Sequence, residues 1–283
     1  MKLHFPDSLD EAAWLLAADE DARPLAGGAT LVAMMNADLV APSTLVSLRD
    51  IAGLDVIGRD NDGGVRIGAM ALHRDVAERL GPDGAEGVVE AAAASIGHPP
   101  IRNMGTIGGA ICHADPSADY PAALVAANAE IEIAGTTGRR TIAAEDFFVD
   151  FFETALAPGE LVAEIRIPPA PDGTASSYVK FSRVEGDFAT VSVAVVTTVR
   201  DGVCEAIRIA LGSCGATPVR SAETEDALIG GSLGDDEIAA ACEHLVAACD
   251  PIDDVRGSAA YRLKLVPGLV RRAIGHCVAG GAA

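Results

Sequence analysis

The pattern of hydrophobic and polar positions over residues 1–56 predicts a small α/β unit. Ser8 and Glu11 have the spacing of a capping box, and the largely apolar positions after them predict a helix. A short apolar run then enters the glycine pair 27–28, a helical pattern covers 30–39, and 43–48 is typical of a strand.

Residues 57–170 mix helical and strand patterns in a second predicted unit. Its elements are a strand–turn–strand over 56–70, helices over 72–80 and 87–96, a helix over 121–127, and a strand over 129–134 with a hairpin return. The sequence His-Pro-Pro at 98–100 ends the second helix. The run D-F-F-V-D-F-F at 146–152 is best explained as core packing. Prolines and a polar segment at 165–177 indicate a boundary.

Beyond that boundary, residues 171–283 are expected to form an antiparallel sheet followed by helices. The strand patterns cover 178–183, 189–200 and 205–212, and the helical patterns cover 222–229, 235–249 and 258–274. Pro267 is expected to interrupt the last helix. The predicted fold class is therefore α+β, in three units: 1–56, 57–170 and 171–283.

Composition narrows the class of protein. The 283 residues carry a formal net charge of -20, which disfavours nucleic-acid partners. No apolar run approaches the roughly 20 residues that span a bilayer, and the first residues turn polar too early for a signal peptide. The six cysteines include no C-x-x-C and no spacing typical of zinc or iron–sulfur ligands. We expect a cytoplasmic protein with reduced thiols and no metal site of its own.

The segment Ile101–Pro121, I-R-N-M-G-T-I-G-G-A-I-C-H-A-D-P-S-A-D-Y-P, is the main candidate for a ligand site. Its glycines let the backbone approach a ligand, and their N–H groups could face an anion. Asp115 and Asp119 could hold sugar hydroxyls. On residues alone an alternative stays open: T-I-G-G as a tight turn between strands, and D-P-S-A-D as a helix start capped by Asp115 or Ser117.

A second glycine pair lies in R-P-L-A-G-G-A-T-L-V, residues 23–32. A strand, a glycine turn and a helix start present backbone N–H groups and a helix dipole to a phosphate. Two such segments could bind one pyrophosphate from both sides. Lys180 is a further candidate: in the apolar strand Y-V-K-F it either lies at an edge or faces an anion.

Taken together and in order, these motifs resemble the FAD-binding medium subunit of the molybdenum hydroxylases, the group that contains aerobic carbon monoxide dehydrogenase and xanthine dehydrogenase. The similarity rests on A-G-G-A-T, M-G-T-I-G-G-A-x-C-H-A-D-P-S-A-D, P-G-E-L-V-A-E-I-R-I-P, Y-V-K-F-S-R and Y-R-L-K-L-V-P-G-L-V-R-R-A, and covers nearly the whole chain. It implies the FAD-binding fold shared with vanillyl-alcohol oxidase, followed by a C-terminal three-stranded sheet with helices.

The resemblance also implies non-covalent FAD and its binding residues. The two glycine segments would hold the pyrophosphate, Asp119 the adenosine or ribitol part, and Lys180 would lie near the flavin ring. The full predicted set is Leu25, Ala26, Gly27, Gly28, Ala29, Thr30, Leu31, Ile96, Thr106, Ile107, Gly108, Gly109, Ala110, Asp115, Asp119, Leu161, Val162, Lys180 and Phe188. Ala29 and Ala110 replace residues that are often polar in the family, and Phe188 lacks the hydroxyl of a tyrosine found in some relatives.

The implied function is that of an electron-transfer subunit with no catalytic base of its own. A molybdopterin-binding large subunit and a small subunit with two-iron two-sulfur clusters would supply electrons, and a quinone or NAD would accept them. Two alternatives stay open: a stand-alone flavin oxidase of the same fold, and an assembly subunit that has lost FAD. Carbon monoxide, purines, N-heterocycles and aldehydes all stay possible as substrates, with carbon monoxide favoured by the Y-R-L-K and G-D-F-A-T segments.

Overall fold

The computed structural model describes residues 1–280. The strands are β1 (Lys2–His4), β2 (Ala22–Leu25), β3 (Thr44–Ser47), β4 (Ile57–Arg59), β5 (Val65–Gly68), β6 (Glu130–Gly135), β7 (Gly138–Ala143), β8 (Phe148–Asp150), β9 (Glu153–Thr154), β10 (Leu161–Ile167), β11 (Thr174–Phe181), β12 (Val191–Arg200) and β13 (Val203–Gly212). The helices are α1 (Leu9–Ala17), α2 (Leu31–Asn36), α3 (His73–Arg79), α4 (Glu86–Ser95), α5 (Pro99–Arg102), α6 (Ile107–His113), α7 (Asp119–Ala126), α8 (Ala144–Phe147), α9 (Ala222–Leu228), α10 (Asp235–Ala247) and α11 (Ala259–Gly280).

A small parallel sheet of order β1-β3-β2 forms the N-terminal part. Helix α1 buries Leu9, Ala12 and Leu16 in a core shared with β3 and β10. The Ser8 side chain caps α1 by accepting from the Glu11 N–H at 3.3 Å. Glu11 Oε2 accepts from the Asp7 N–H, one residue before the capping-box partner. The predicted α/β arrangement of this segment is confirmed.

The central part is built on an antiparallel sheet of order β4-β5-β10-β6-β7. Helices α4, α6 and α7 contribute many alanines, together with aliphatic residues such as Val88, Ile107 and Leu124, to a core that they share with aliphatic residues of β5, β6 and β10. Small side chains allow close helix-to-sheet packing. This packing holds the N-terminus of α6 directly against the end of β5.

The C-terminal part is an antiparallel sheet of order β11-β12-β13 covered by helices. Valines of β12 and isoleucines of β13 pack against α9, α10 and α11 in a separate core. The predicted α+β class and the three-stranded C-terminal sheet are confirmed. Strand β11 begins at Thr174, before the predicted start at Tyr178, because its early residues pair with Val195–Thr198 of β12.

The candidate segment 101–121 is more helical than expected. T-I-G-G is not a turn between strands, because α6 begins directly after Thr106. Helix α7 begins at Asp119 after Ala118, so neither Asp115 nor Ser117 is its cap. The predicted end of the preceding helix is correct, yet the prolines start the short helix α5, where proline fits the first position.

The predicted interruption at Pro267 is wrong, since α11 runs without a break from Ala259 to Gly280. A proline inside a helix removes one backbone hydrogen bond. Here both halves of α11 are anchored, because Val266 and Val270 are fully buried in the C-terminal core on either side of the proline. Burial of these side chains therefore outweighs the loss of one backbone hydrogen bond at Pro267.

The aromatic run at 146–152 divides into two pairs. Phe147 and Phe148 are buried in the central core with their rings at 5.3 Å, as predicted. Phe151 and Phe152 are exposed, which corrects the prediction for that pair. Phe152 has a φ of 57°, which is uncommon for a bulky residue. The turn between β8 and β9 thus holds both rings at the surface.

Candidate functional site

The two glycine segments touch each other through their backbones. A Cβ atom added at Gly27 would lie 1.8 Å from the Met104 carbonyl oxygen and 3.1 Å from the Gly105 Cα. No side chain fits in that space. A few residues further on, a Cβ at Gly109 would lie 3.7 Å from the Ala26 Cβ. The sequence motifs A-G-G-A-T and M-G-T-I-G-G therefore form one continuous surface.

The first segment has an unusual run of free backbone donors. Within residues 1–280, none of the N–H groups of residues 26–31 donates a hydrogen bond to a protein acceptor. Gly28 has a φ of 78°, a left-handed conformation that glycine adopts at little cost. Thr30, which precedes α2, offers no side-chain cap. Consecutive unpaired N–H groups in a turn form a concavity that favours anions.

The second segment uses most of its donors for folding. The Ile107 N–H donates to the Ala71 carbonyl at 3.0 Å, and the Gly108 N–H donates to the Ala69 carbonyl at 2.9 Å. The expectation that the Gly108 N–H faces an anion is therefore corrected. The Gly109 N–H donates to the Thr106 Oγ1 at 3.1 Å, as in a helix cap. Of these three donors, the one at the exposed Gly109 is the easiest for a ligand to reach.

Gly108 has a packing role that the sequence did not reveal. A Cβ there would lie 2.6 Å from the Ala69 carbonyl oxygen and 2.7 Å from the Ala69 Cβ. Glycine lets α6 approach the end of β5 closely enough for the hydrogen bond between Gly108 and Ala69. This glycine is therefore needed by the scaffold beneath the site.

His73 lies beneath the second glycine segment, and the sequence gave no signal for it. Its backbone N–H donates to the Gly105 carbonyl, and a Cβ at Gly105 would lie 2.5 Å from its ring Nε2. Its Nδ1 lies 3.2 Å from the Tyr120 hydroxyl. Burial lowers the pKa of His73 to about 4, and the charge of Arg102 acts in the same direction. His73 is thus a neutral support for the loop at neutral pH.

Asp115 shapes the turn that leads into α7. Its Oδ1 accepts from the Ser117 N–H at 2.8 Å, which is an Asx turn. The Ala118 N–H donates to the Asp115 carbonyl at 3.0 Å. Asp115 is only partly buried.

Asp119 and Lys180 form a buried ion pair, with side chains only 7% and 8% exposed and the Lys180 Nζ 3.0 Å from Asp119 Oδ1. The Tyr178 hydroxyl donates to the same carboxylate at 2.7 Å, and Nζ also donates to the Ser95 carbonyl at 2.7 Å. Burial raises the pKa of Asp119, and the Lys180 charge and the Tyr178 hydroxyl oppose that rise. Lys180 therefore faces an anion, Asp119, although its strand β11 is an edge strand of the C-terminal sheet.

The apolar residues of the predicted set lie in different environments. Ile96, at the end of α4, is partly buried against the central core. Leu161 and Val162 begin β10, and both side chains are covered by protein, in the N-terminal and central cores respectively.

Phe188 is the most exposed apolar residue of the predicted set, at 43%. The guanidinium of Arg256 lies over its ring, 5.0 Å from the centroid. Such a cation–π contact stabilises the ring in place. The turn before Phe188 lies close to the segment that follows α4, because a Cβ at Gly186 would lie 2.7 Å from the Gly97 carbonyl oxygen. The sequence offered no signal for Arg256.

The residues present fit a dinucleotide. Free N–H groups at 26–31 can hold a diphosphate, and the partly buried Asp115 carboxylate can accept from hydroxyl groups. Because Gly27 brings the two glycine segments together, a bound ligand can lie close to both of them. Within the part of the chain that the structure describes, no helix is both long enough and apolar enough to cross a membrane.

Comparison with known proteins agrees with the fold and site. The family model "FAD binding domain in molybdopterin dehydrogenase" matches residues 1–170, and "CO dehydrogenase flavoprotein C-terminal domain" matches residues 176–277. The carbon monoxide dehydrogenase medium chain of Afipia carboxidovorans is 38% identical, over 96% of this chain and 94% of its own length. A 6-hydroxypseudooxynicotine dehydrogenase complex subunit alpha from Paenarthrobacter nicotinovorans is 36% identical, over 95% and 91%.

A solved structure shows the same fold over the whole length. The crystal structure of Cu,Mo-CO dehydrogenase in its cyanide-inactivated form contains a chain that superposes with a TM-score of 0.94, at 36% identity, over 99% of this chain and 98% of that one. The chain therefore belongs to the family of FAD-binding medium subunits of the molybdenum hydroxylases. The predicted resemblance and the predicted FAD-binding domain are confirmed.

Proposed function

We propose that this chain binds FAD non-covalently and carries electrons within a heteromeric molybdenum hydroxylase. A partner with two-iron two-sulfur clusters would deliver electrons that originate at molybdenum in a large subunit, and a quinone or NAD would receive them. In this proposal residues 1–56 and 57–170 hold the cofactor, and residues 171–283 cover it.

The observation that carries this proposal is the run of N–H groups at 26–31 that have no acceptor in the described chain. Backbone donors buried or half-buried without a partner are rare, since each costs free energy. A diphosphate with four acceptor oxygens would satisfy several of them at once. The Gly109 N–H, released from the Thr106 hydroxyl, would add a donor from the facing segment.

The other predicted residues would place the rest of the cofactor. Asp119 and Lys180 form a rigid, mutually neutralising pair beside α4, so Lys180 would act as a hydrogen-bond donor with a partly compensated charge. Phe188, braced by Arg256, would cover one side of the ring system. When bound, FAD supplies the ability to exchange one or two electrons.

The partners in the proposal follow from what the relatives are. Those relatives include a carbon monoxide dehydrogenase medium chain, a nicotine 6-hydroxylase medium subunit and a caffeine dehydrogenase subunit beta. Their names imply different substrates, although each is at least 32% identical to this chain over 95% or more of this chain's length. We infer that substrate choice lies in the large subunit, and that this chain performs the same task for each substrate.

The test compares the purified chain with the assembled complex. In anaerobic solution, carbon monoxide, an N-heterocycle, a purine, an aldehyde and a simple alcohol are added in turn while the visible flavin absorbance is recorded. We expect at least one compound to bleach the flavin of the complex, and none to bleach that of the isolated chain. Bleaching of the isolated chain by an alcohol would instead support a stand-alone oxidase.

A further inference from the structure

Two cysteines in the C-terminal part form a pair. Cys214 follows β13 and is fully buried, whereas Cys249 lies just after the end of α10 and is half-buried. The Asp250 N–H donates to the Cys214 carbonyl at 2.9 Å, so the two chain segments are already joined beside the cysteines. Both side chains pack in the C-terminal core, and the Cys249 thiol, beside Cys214, donates to the Leu245 carbonyl at 3.2 Å.

The two thiols differ in their tendency to ionise. The neighbouring Cys214 thiol lowers the pKa of Cys249, and the neighbouring Cys249 thiol, together with burial, raises the pKa of Cys214. The positive charge of Arg262 acts on Cys214 in the opposite direction. Cys249 is therefore the thiol that both ionises more readily and reaches solvent. A thiolate with a neighbouring thiol is the arrangement that reacts with oxidants.

The other four cysteines differ from Cys249 in the pKa of their thiols. Burial raises the pKa of each of them, to about 12 for Cys112, about 11 for Cys242 and about 12 for Cys277, and upward for Cys204. Three of these thiols are 2% exposed or less. Buried thiols of this kind are inert. The pair is thus distinguished from the rest of the chain by both position and ionisation.

We propose that Cys249 and Cys214 are a peroxide-reactive pair that forms an intramolecular disulfide. The Cys249 thiolate attacks one oxygen of hydrogen peroxide, the O–O bond breaks, and a sulfenic acid and water result after proton uptake. The Cys214 sulfur then attacks the Cys249 sulfur, the S–S bond forms, and the sulfenic oxygen leaves as a second water. Overall the two thiols lose two electrons and two protons, and one hydrogen peroxide becomes two waters.

The position of the pair connects it to the candidate flavin site. Cys214 lies next to Ser213, whose carbonyl accepts from Arg262 at 3.4 Å and whose φ is 63°. Cys249 precedes the segment that carries Asp254, which is bound by Arg262, and Arg256, which covers Phe188. A disulfide would join these two segments covalently and restrict the movement of Arg256. This consequence for the flavin, unlike the disulfide itself, rests on the proposed function.

Peptide mapping of the purified full-length protein tests the disulfide directly. The protein is treated with hydrogen peroxide, free thiols are alkylated, and peptides are analysed by mass spectrometry without reduction. We expect a linked peptide that contains Cys214 and Cys249 and disappears on reduction, with the loss of two alkylatable thiols per chain. Sulfinic acid at Cys249 with Cys214 still alkylated, or an unmodified pair where an exposed reference thiol is oxidised, would overturn the proposal.

Variants separate the role of Cys249, which reacts with peroxide, from the role of Cys214, which then forms the disulfide. Cys214→Ser should stop oxidation at a sulfenic or sulfinic acid on Cys249, and Cys249→Ser should leave Cys214 a free thiol. Cys112→Ser, which lies on α6 and outside the pair, should form the disulfide as the wild type does. Peptide mapping of the wild type tests the disulfide even if a variant fails to fold. Because mapping requires no flavin, loss of the disulfide and loss of FAD binding are distinguishable results.

Discussion

His73 is the residue through which the candidate site is sensitive to acid. Its imidazole is buried between the Gly105 backbone and the Tyr120 hydroxyl, where a neutral ring fits and a charged ring does not. The pKa of about 4 lies below the value of 6.5 expected for a free side chain, because burial disfavours the charged form. The ring therefore supports the loop that carries Thr106 only while it is unprotonated.

The consequence is a pH dependence of stability with a definite sign. Between pH 6.5 and about 4 the unfolded chain binds a proton at His73 and the folded chain does not, so stability falls as the pH is lowered through this window. A pKa difference of about 2.5 corresponds to about 3 kcal/mol in the free energy of unfolding. Below about pH 4 this contribution is fully lost.

Urea unfolding measured across this pH range checks the effect. His73→Gln should remove about 3 kcal/mol of the pH dependence, because glutamine can bond to Tyr120 and does not titrate. His244→Gln, at an exposed position on α10, is the matched control and should keep the wild-type slope. An unchanged slope in His73→Gln would show that another group senses the acid.

Among the secondary-structure elements, those defined by local chemistry were predictable and those defined by packing were not. The hairpin of β4 and β5, the valine-rich β12 and the capped helix α1 follow from turn residues, β-branched runs and the Ser8 cap. The start of α6 did not, because glycines at its first turn are poor helix formers. Gly108 is there because it approaches Ala69, a contact between segments distant in sequence.

In helix α11, tertiary packing again outweighs a local sequence effect, here that of a proline. Pro267 is exposed, and a Cβ at the neighbouring Gly268 would meet nothing within 4 Å, so this turn of the helix faces solvent. The opposite face buries Val266, Val270 and Ile274. A sequence rule that stops a helix at proline fails where burial on the far side more than offsets the lost hydrogen bond.

Replacing this proline should therefore stabilise the protein. Pro267→Ala restores a backbone donor and should raise the free energy of unfolding by up to about 3 kcal/mol, measured in urea. Gly268→Ala, at the adjacent exposed position, is the control for helix propensity alone and should add about 1 kcal/mol or less. A destabilised Pro267→Ala would indicate that the proline itself is required for packing of α11.

At the scale of the whole molecule, Asp119 and Lys180 join the central and C-terminal parts. Asp119 begins α7, Lys180 lies on β11, and the lysine also bonds the last residue of α4. The sequence indicated both residues, through the family resemblance, as cofactor contacts. That they contact each other could not be predicted, because the contact depends on how β11 packs against α4 and α7. Their predicted contact with FAD stays a prediction.

A double-mutant cycle measures how much the ion pair between Asp119 and Lys180 contributes to the free energy of unfolding. Lys180→Met leaves a buried, unpaired carboxylate and should cost about 3–5 kcal/mol of unfolding free energy. Asp119→Asn with Lys180→Met should cost clearly less than the two single changes added together, because neither partner is then left charged and buried. Additive costs in urea unfolding would mean that the two side chains do not interact in solution.

The central claim for this molecule is our proposal that the contact between Gly27 and Met104 aligns a set of free N–H groups to hold FAD. The most direct measurement is the flavin released by acid precipitation from purified wild type, Gly27→Ala and Gly275→Ala, each first shown to be folded by its thermal transition. A Cβ at Gly275 meets nothing within 4 Å, so this variant controls for the substitution itself. We predict FAD in the acid supernatant of the wild type and of Gly275→Ala, and little or none from Gly27→Ala. A colourless wild type that takes up no added FAD, or a Gly27→Ala protein with full flavin content, would contradict the claim.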